Sequence, residues 1–369
     1  MILLWLLFGS ITIYSAFGIF FLLGLLRLKS KNRGQYNTTD VVSVIVAARN
    51  ESENLPLLIN DLIKQDYPAE QLEIIITDDR SSDNTWEILT NTAAKYPHIK
   101  AVRITDKALN MTPKKHALTA AINISSGTII ASTDADCRVP KNWVTSMANS
   151  LRNNSAGIVI GYSAINAQRH SVLEQYQKLD FLALMAANAG STGWGFAWSG
   201  SGQNLAYYRQ HFDSIGGFQP VAKRLSGDDV YLVQSIGKKF GAVFNHNSDG
   251  YVHTLPVPTA SQFIHQRIRW ASNSKYLPGS NWFFLLFLLS AFISNTSLVV
   301  ALFNSTMIVH LPVVIIIKLL VDGLVVFLGA NQFKTHIHPI IFVLWSFLQP
   351  VYIPIIGITG LISQFKWKN

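Results

Sequence analysis

The sequence predicts an α/β domain built on a mainly parallel sheet, with one N-terminal and about three C-terminal transmembrane helices. Three observations carry that expectation. Between residues 41 and 133, short apolar runs alternate with helix-like segments, the pattern of βαβ units. Two of those runs end in acidic pairs, Asp78-Asp79 after Leu72-Glu73-Ile74-Ile75-Ile76-Thr77 and Asp134-Ala135-Asp136 after residues 128–133. Four other stretches are long and apolar enough to cross a bilayer.

Residues 1–26 carry no charge and are followed by Arg27, Lys29, Lys31 and Arg33. A cleaved signal peptide would start basic and have a shorter apolar core, so a retained anchor is expected, then a basic linker over 27–40. Residues 41–258 read as the globular domain. Strands are expected at 41–47, 72–77, 101–105 and 128–133, and helices at 54–65, 85–95 and 114–124. Continuous apolar strands suit burial on both faces.

The second half is less regular, with a strand at 158–165, a helix at 171–188, a Gly/Ser/Trp-rich loop at 191–202 and a helix at 227–239. An amphipathic helix at 259–276, inside an interface segment 259–280, leads into a membrane region over 281–369. Apolar stretches lie there near 282–303, 308–330 and 339–362. Lys318 and Asp322 stand four apart on the second, where pairing lowers the cost of burial. Pro339, Pro350 and Pro354 predict a kinked or re-entrant third stretch.

The formal charge of +9 invites a nucleic-acid reading until it is divided along the chain. Residues 27–33 hold four of the basic residues, residues 281–369 hold four Lys against one Asp, and the middle is nearly balanced. Basicity at the membrane flanks suits anionic lipid rather than nucleic acid. The cluster after the first anchor places the globular domain in the cytoplasm, at a bacterial inner membrane, although three further spans would leave Lys366 and Lys368 outside. Cys137 is the sole cysteine, which excludes a disulfide framework and a cysteine-based zinc cluster.

The acidic groups carry the chemistry. At a strand end, Asp134-Ala135-Asp136 directs two carboxylates apart while keeping both at the crevice, one for a sugar or ribose hydroxyl and one for a divalent ion. Asp79 is placed to accept the imide N–H of a uracil ring, and Ser82 or Asp83 to cap the helix that follows. Asp228-Asp229 opens a helix, where the dipole favours negative charge and a carboxylate has a general base's place. Gln266, Arg269 and Trp270 share one helical face, offering a guanidinium to a diphosphate and an indole to a sugar ring.

In this order the residues resemble membrane-bound family 2 glycosyltransferases, whose nucleotide-sugar-binding domain has the GT-A fold. The resemblance runs from about Val41 to Trp270 through Val44 to Asn50, Asp78-Asp79 with Asp83, Asp134-Ala135-Asp136, Asp228-Asp229 and Gln266-Arg267-Ile268-Arg269-Trp270. It implies donor binding by Asp79, Lys114, Asp134 and Arg269, and a Mg²⁺ or Mn²⁺ ion at Asp136. It also implies acceptor contacts from Gly202, Gln203, Asn204, Gln266 and Trp270, and a catalytic pair Asp228 and Asp229 with Asp229 as base. Arg80 stands where many members have Gly, and Asp228 replaces the usual Glu.

The expected activity is inverting, metal-dependent hexosyl transfer from a UDP-linked sugar to a lipid-linked, glycan or membrane-embedded acceptor. Such an enzyme would serve glycolipid or envelope polysaccharide synthesis. Processive polysaccharide synthases share the last motif and form the nearest alternative, though three C-terminal helices are few for a secretion channel. A catalytically silent nucleotide-sugar-binding partner is the remote one. No phosphate-binding G-x-x-x-x-G-K-[ST] loop is present to support a primary transporter.

Overall fold

The computed structural model describes residues 1–28, 40–169, 171–277 and 279–362. Most of the basic linker and the two C-terminal lysines used above for orientation lie outside the described residues. The chain divides into two compact units, one of residues 1–28, 165–194 and 256 onward, the other of the remainder.

The second unit holds the sheet. Its elements are β1 (Val42–Ala48), α2 (Leu55–Ile63), β2 (Leu72–Asp79), α3 (Thr85–Lys95), β3 (Ile99–Ile104), α4 (Pro113–Ile124), β4 (Ile129–Asp134), β5 (Cys137–Arg138), α5 (Trp143–Asn153), β6 (Ile158–Gly161) and β7 (Ser163–Ile165). After an excursion into the first unit come β8 (Leu205–Tyr208), α7 (Arg209–Ser214), α8 (Asp228–Phe240), β9 (Ala242–Asn245) and β10 (Val252–Thr254). Seven strands run in the order β3-β2-β1-β4-β8-β6-β9, and β5-β10-β7 make a small second sheet. In the large sheet β8 alone runs antiparallel to its two neighbours, so the sheet is mainly parallel.

The central strands are apolar on both faces because helices cover both. Val44, Ile45 and Val46 are all fully buried, and Val44 and Val46 pack in a core with Leu58, Ile74, Ile76, Trp143 and Met147. Beneath the sheet's amino edge Glu73 ties neighbouring strands together. Its carboxylate accepts from Ser43 Oγ and the Ser126 and Gly127 amides, and meets Lys100 Nζ at 2.7 Å. Burial alone would raise its pKa, but Lys100 and the hydrogen bonds override this and lower it to about 2.

The first unit contains α1 (Ile2–Arg27), α6 (Val172–Gly193), α9 (Ala260–Ala271), α10 (Trp282–Ala301), the short α11 (Ser305–Ile308), α12 (Leu311–Gln332) and α13 (Pro339–Ile362). Helices α1, α10, α12 and α13 are each long and apolar enough to cross a membrane. Helix α6 differs from the sequence expectation, because it continues to Gly193 through residues expected to form a loop. The reason is a close crossing with α1. A Cβ on Gly24 would lie 1.9 Å from the Gly190 carbonyl oxygen, and one on Gly193 would lie 2.1 Å from that of Gly24, so the glycines serve contact between helices.

Lys318 and Asp322 pair at 2.5 Å, with Tyr14 donating to Asp322 at 2.6 Å and Lys318 donating to Gln349 at 2.8 Å. One satisfied polar knot thus joins α1, α12 and α13. Pro350 and Pro354 lie inside α13, which is one uninterrupted helix rather than a re-entrant pair.

Candidate active site

Strand register sets the acidic groups along one edge. Asp78 pairs with Ala48 and Asp134 with Ala47, so the carboxyl ends of β2, β1 and β4 stand level. Asp79 and Asp134 are thereby about two strand spacings apart, roughly 10 Å. This is the edge at which open parallel sheets bind ligands.

The turns after β1 and β2 are laced to one another. Asn50 (φ 53°) and Arg80 (φ 57°) both take left-handed conformations, which explains why glycine suits the Arg80 position. Asn50 N–H donates to Ser81 Oγ at 2.9 Å, and Asn50 Oδ1 accepts from the Ser82 amide at 2.8 Å. Asp83 accepts from the amides of Ser52 and Thr85 and from Thr85 Oγ1, which joins helix capping to loop lacing. Asp79 is buried, and Arg80 donates to it from Nε at 2.8 Å and Nη2 at 3.1 Å. Asp79 is therefore half of an Asp–Arg pair rather than a lone carboxylate.

Lys114, Asp134, Gly202, Asp228 and Asp229 line one cleft. Lys114, in the first turn of α4, donates to Asp134 Oδ1 at 2.7 Å. Burial pulls its pKa down, but Asp134, Asp228 and Asp229 more than offset that and hold it above the ordinary lysine value. Asp229 accepts at Oδ2 from the Gly202 amide at 3.2 Å and at Oδ1 from its neighbour Val230 N–H at 2.8 Å. Burial and the like charge of Asp228 push its carboxyl up to about 6, against the pull of Lys114. Asp228 opens α8 behind Gly227, whose φ of 82° sets the turn.

Asp136 stands between β4 and β5. Burial, then the carboxylates of Asp134 and Glu51, push it up to about 6, with Lys114 opposing. Such an excess of negative charge suits a hard cation. No three His, Cys, Asp or Glu side chains converge as a metal cage among the described residues. The Cys137 thiol is buried and held protonated, since burial and Asp136 raise its pKa well above the ordinary value, so it offers no soft competing ligand.

The Gly202-Gln203-Asn204 segment divides in its roles. Gly202 faces Lys114 and Asp229, and a Cβ there would stand 3.6 Å from Lys114 Nζ. Gln203 is half-buried beside Ser201. Asn204, expected from the resemblance to contact the acceptor, has its side chain turned into the protein. It is fully buried, donates to the Tyr162 and Gly250 carbonyls and accepts from Trp143 Nε1 at 2.9 Å. Its side chain anchors the segment from below.

In the other unit, Gln266, Arg269 and Trp270 are half-buried on α9, which begins with a capping box between Thr259 and Gln262. Between them stands Arg267, to which the motif alone gives no role. Its Nε meets Asp180 at 2.7 Å, its Nη1 donates to Gln266 Oε1 at 2.7 Å, and its guanidinium lies 4.1 Å from the Trp270 ring centroid. Asp180 in turn accepts from Trp345 Nε1 at 3.0 Å. Lys115, next to Lys114, is likewise given no role by the motif, yet its ammonium is buried.

Residues 43–197 match the model of glycosyl transferase family 2, and residues 129–353, more than half of the chain, match that of glycosyl transferase family group 2. The chain belongs to this family. The chain is 28% identical to the probable glycosyltransferase YdaM of Bacillus subtilis over 64% of its own length and 56% of the relative's. It is 27% identical to the beta-monoglucosyldiacylglycerol synthase of Trichormus variabilis over 69% of its own length and 56% of the relative's. The chain thus spans about half the length of the curated relatives it matches. Among solved structures, the mannosyltransferase PcManGT of Pyrobaculum calidifontis, in complex with GDP-Man and Mn²⁺, superposes with a TM-score of 0.63 at 19% identity. That likeness covers 98% of this chain and 97% of PcManGT, and it shows a shared GT-A-like fold.

Proposed function

We propose that this glycosyltransferase moves one sugar from a nucleotide-sugar, UDP-linked in the simplest reading, to a lipid-linked or membrane-embedded acceptor, with inversion at the anomeric carbon. The observation that carries the reading is the opposition across one cleft of the Lys114–Asp134 pair and the Asp228–Asp229 pair, with Asp229 held by the Gly202 amide. One pair suits the donor and the other a reacting hydroxyl. Support for a lipid-related acceptor comes from the diacylglycerol glucosyltransferases among its relatives and from the four membrane-length helices. The same helices support an integral membrane enzyme, and the basic flank at Arg27 a cytoplasmic globular domain, residues 41–258.

Asp229 takes the proton of the acceptor hydroxyl as its oxygen attacks the anomeric carbon. The bond from that carbon to the diphosphate oxygen breaks on the opposite face, so one displacement inverts the centre, with no covalent enzyme intermediate. A divalent ion held at Asp136 would supply charge neutralisation of the departing diphosphate. Lys114 adds fixed positive charge beside Asp134, and Asp134 accepts from a sugar or ribose hydroxyl. Asp79 with Arg80 takes the nucleobase and Gly202 and Gln203 border the acceptor, while the family resemblance alone assigns Arg269 to the diphosphate and Asn204, Gln266 and Trp270 to the acceptor.

Asp229→Asn tests this directly, because the amide keeps the shape and removes the base. Transfer should fall on the order of 10²- to 10⁴-fold while Mn²⁺-dependent UDP binding, read by calorimetry, stays as in the wild type. Equal losses of binding and turnover would move Asp229 into the nucleotide site.

A further inference from the structure

Lys114 and Lys115 are neighbours in the first turn of α4, and helical geometry sends their side chains about 100° apart. Lys114 goes to Asp134. Lys115 goes inward, is 1% exposed, and donates to the Arg224 carbonyl at 2.5 Å and to Thr112 Oγ1 at 3.3 Å. Both acceptors are neutral. A buried ammonium without a hydrogen-bonded carboxylate is costly, and a methionine of similar length would pack there at less cost.

The segment it grips explains its presence. The Thr112 amide donates to the Ala222 carbonyl at 2.9 Å and Thr112 Oγ1 donates to the Arg224 carbonyl at 3.3 Å, so three groups at the start of α4 hold residues 222–224. Three residues later the left-handed Gly227 turns the chain into Asp228 and Asp229. We propose that Lys115 is a positioning residue for the transfer step, fixing residues 222–227 to α4 and thereby the place of the Asp229 carboxylate relative to the Lys114–Asp134 pair. The inference rests on reading Asp229 as the base. One helical turn thus grips both sides of the cleft, Asp134 through Lys114 and the segment leading to the base through Lys115. Burial lowers the Lys115 pKa, and the carboxylates of Asp228 and Asp229 act against that, so the ammonium also lies within their field.

The test uses the full-length enzyme in detergent, with Lys115→Met, Lys115→Arg, Thr112→Val and Asp229→Asn. Nucleotide release is followed with a panel of UDP- and GDP-sugars and total lipid extract, and UDP binding with Mn²⁺ by calorimetry. Lys115→Met should lose about 10- to 100-fold in kcat, the scale of a misplacement near 1 Å, with UDP affinity changed less than about twofold. Lys115→Arg should recover part of that loss, and Thr112→Val should show a smaller loss of the same kind. Unchanged kcat in Lys115→Met, or matching losses of kcat and UDP binding, overturns the proposal. If Lys115→Met does not fold, Thr112→Val decides alone, and a normal kcat there overturns it. A normally active Asp229→Asn removes the base assignment on which the proposal stands, whereas an inactive Asp229→Asn beside normal Lys115 and Thr112 variants removes only the positioning role.

Discussion

At the scale of single residues, Asp229 and Asp136 both have raised pKa values, and the proposed function gives them different work. Asp229 must be ionised to act as a base, so kcat/KM should rise with pH through about 6, where burial and Asp228 place it. Asp228→Asn removes the like charge that raises it and should move the acid limb to lower pH; a limb that stays put or moves up contradicts the assignment. Asp136 is also pushed up to about 6, and a proton competes with a metal ion for the same carboxylate. Mn²⁺ binding to the enzyme without nucleotide should therefore weaken as pH falls below about 6, and Asp136→Ala should abolish the Mn²⁺ dependence of turnover. Near-normal turnover in that variant with saturating Mn²⁺ would place the metal elsewhere.

At the scale of elements, the strands and the strand-end acids were legible in the sequence because buried parallel strands leave unbroken apolar runs and the acids punctuate them. Thus β1, β2 and β4 lie within one or two residues of their expected places, and α8 opens at the expected acidic pair. The short strands β5, β7 and β10 were not legible as a sheet, since two or three residues carry no periodicity. The end of α6 was missed because Gly193 and its neighbours read locally as loop, while Gly190 and Gly193 serve a crossing with α1 that only the packed helices reveal. The burial of Asn204 and its bonds to Tyr162, Gly250 and Trp143 were not legible either, since its partners are distant in sequence.

Two predictions belong to this scale. A Cβ on Gly190 would lie 2.5 Å from the Phe21 carbonyl oxygen, so Gly190→Leu should destabilise the first unit by about 1–3 kcal/mol, read as a lower melting temperature in detergent. An unchanged melting temperature would mean that the crossing is loose. On α9, Arg269→Ala should weaken UDP binding, while Trp270→Ala should raise the KM for acceptor with UDP binding intact. Unchanged curves in both variants would leave that helix an interfacial support only.

At the scale of the whole molecule, Glu73 sets a floor on the pH range of the fold. Its pKa in the folded protein is lowered to about 2, so the stability it contributes is present above its ordinary value of 4.5 and is lost as pH falls from there toward 2. Glu73→Gln should flatten that part of the acid unfolding curve; an unaltered curve would assign the acid sensitivity to other carboxylates. Under the proposed function a soluble donor meets a membrane acceptor, and single transfer would separate this chain from a processive synthase. The measurement that tests this most directly is mass spectrometry of products from membranes carrying the wild type or Asp229→Asn, supplied with Mn²⁺, a panel of UDP- and GDP-sugars and total lipid extract. The account predicts a lipid bearing one added hexose, of inverted anomeric configuration, in wild-type membranes and at least 10²-fold less in the variant. A product that lengthens with time, or equal product from both membranes, would contradict it.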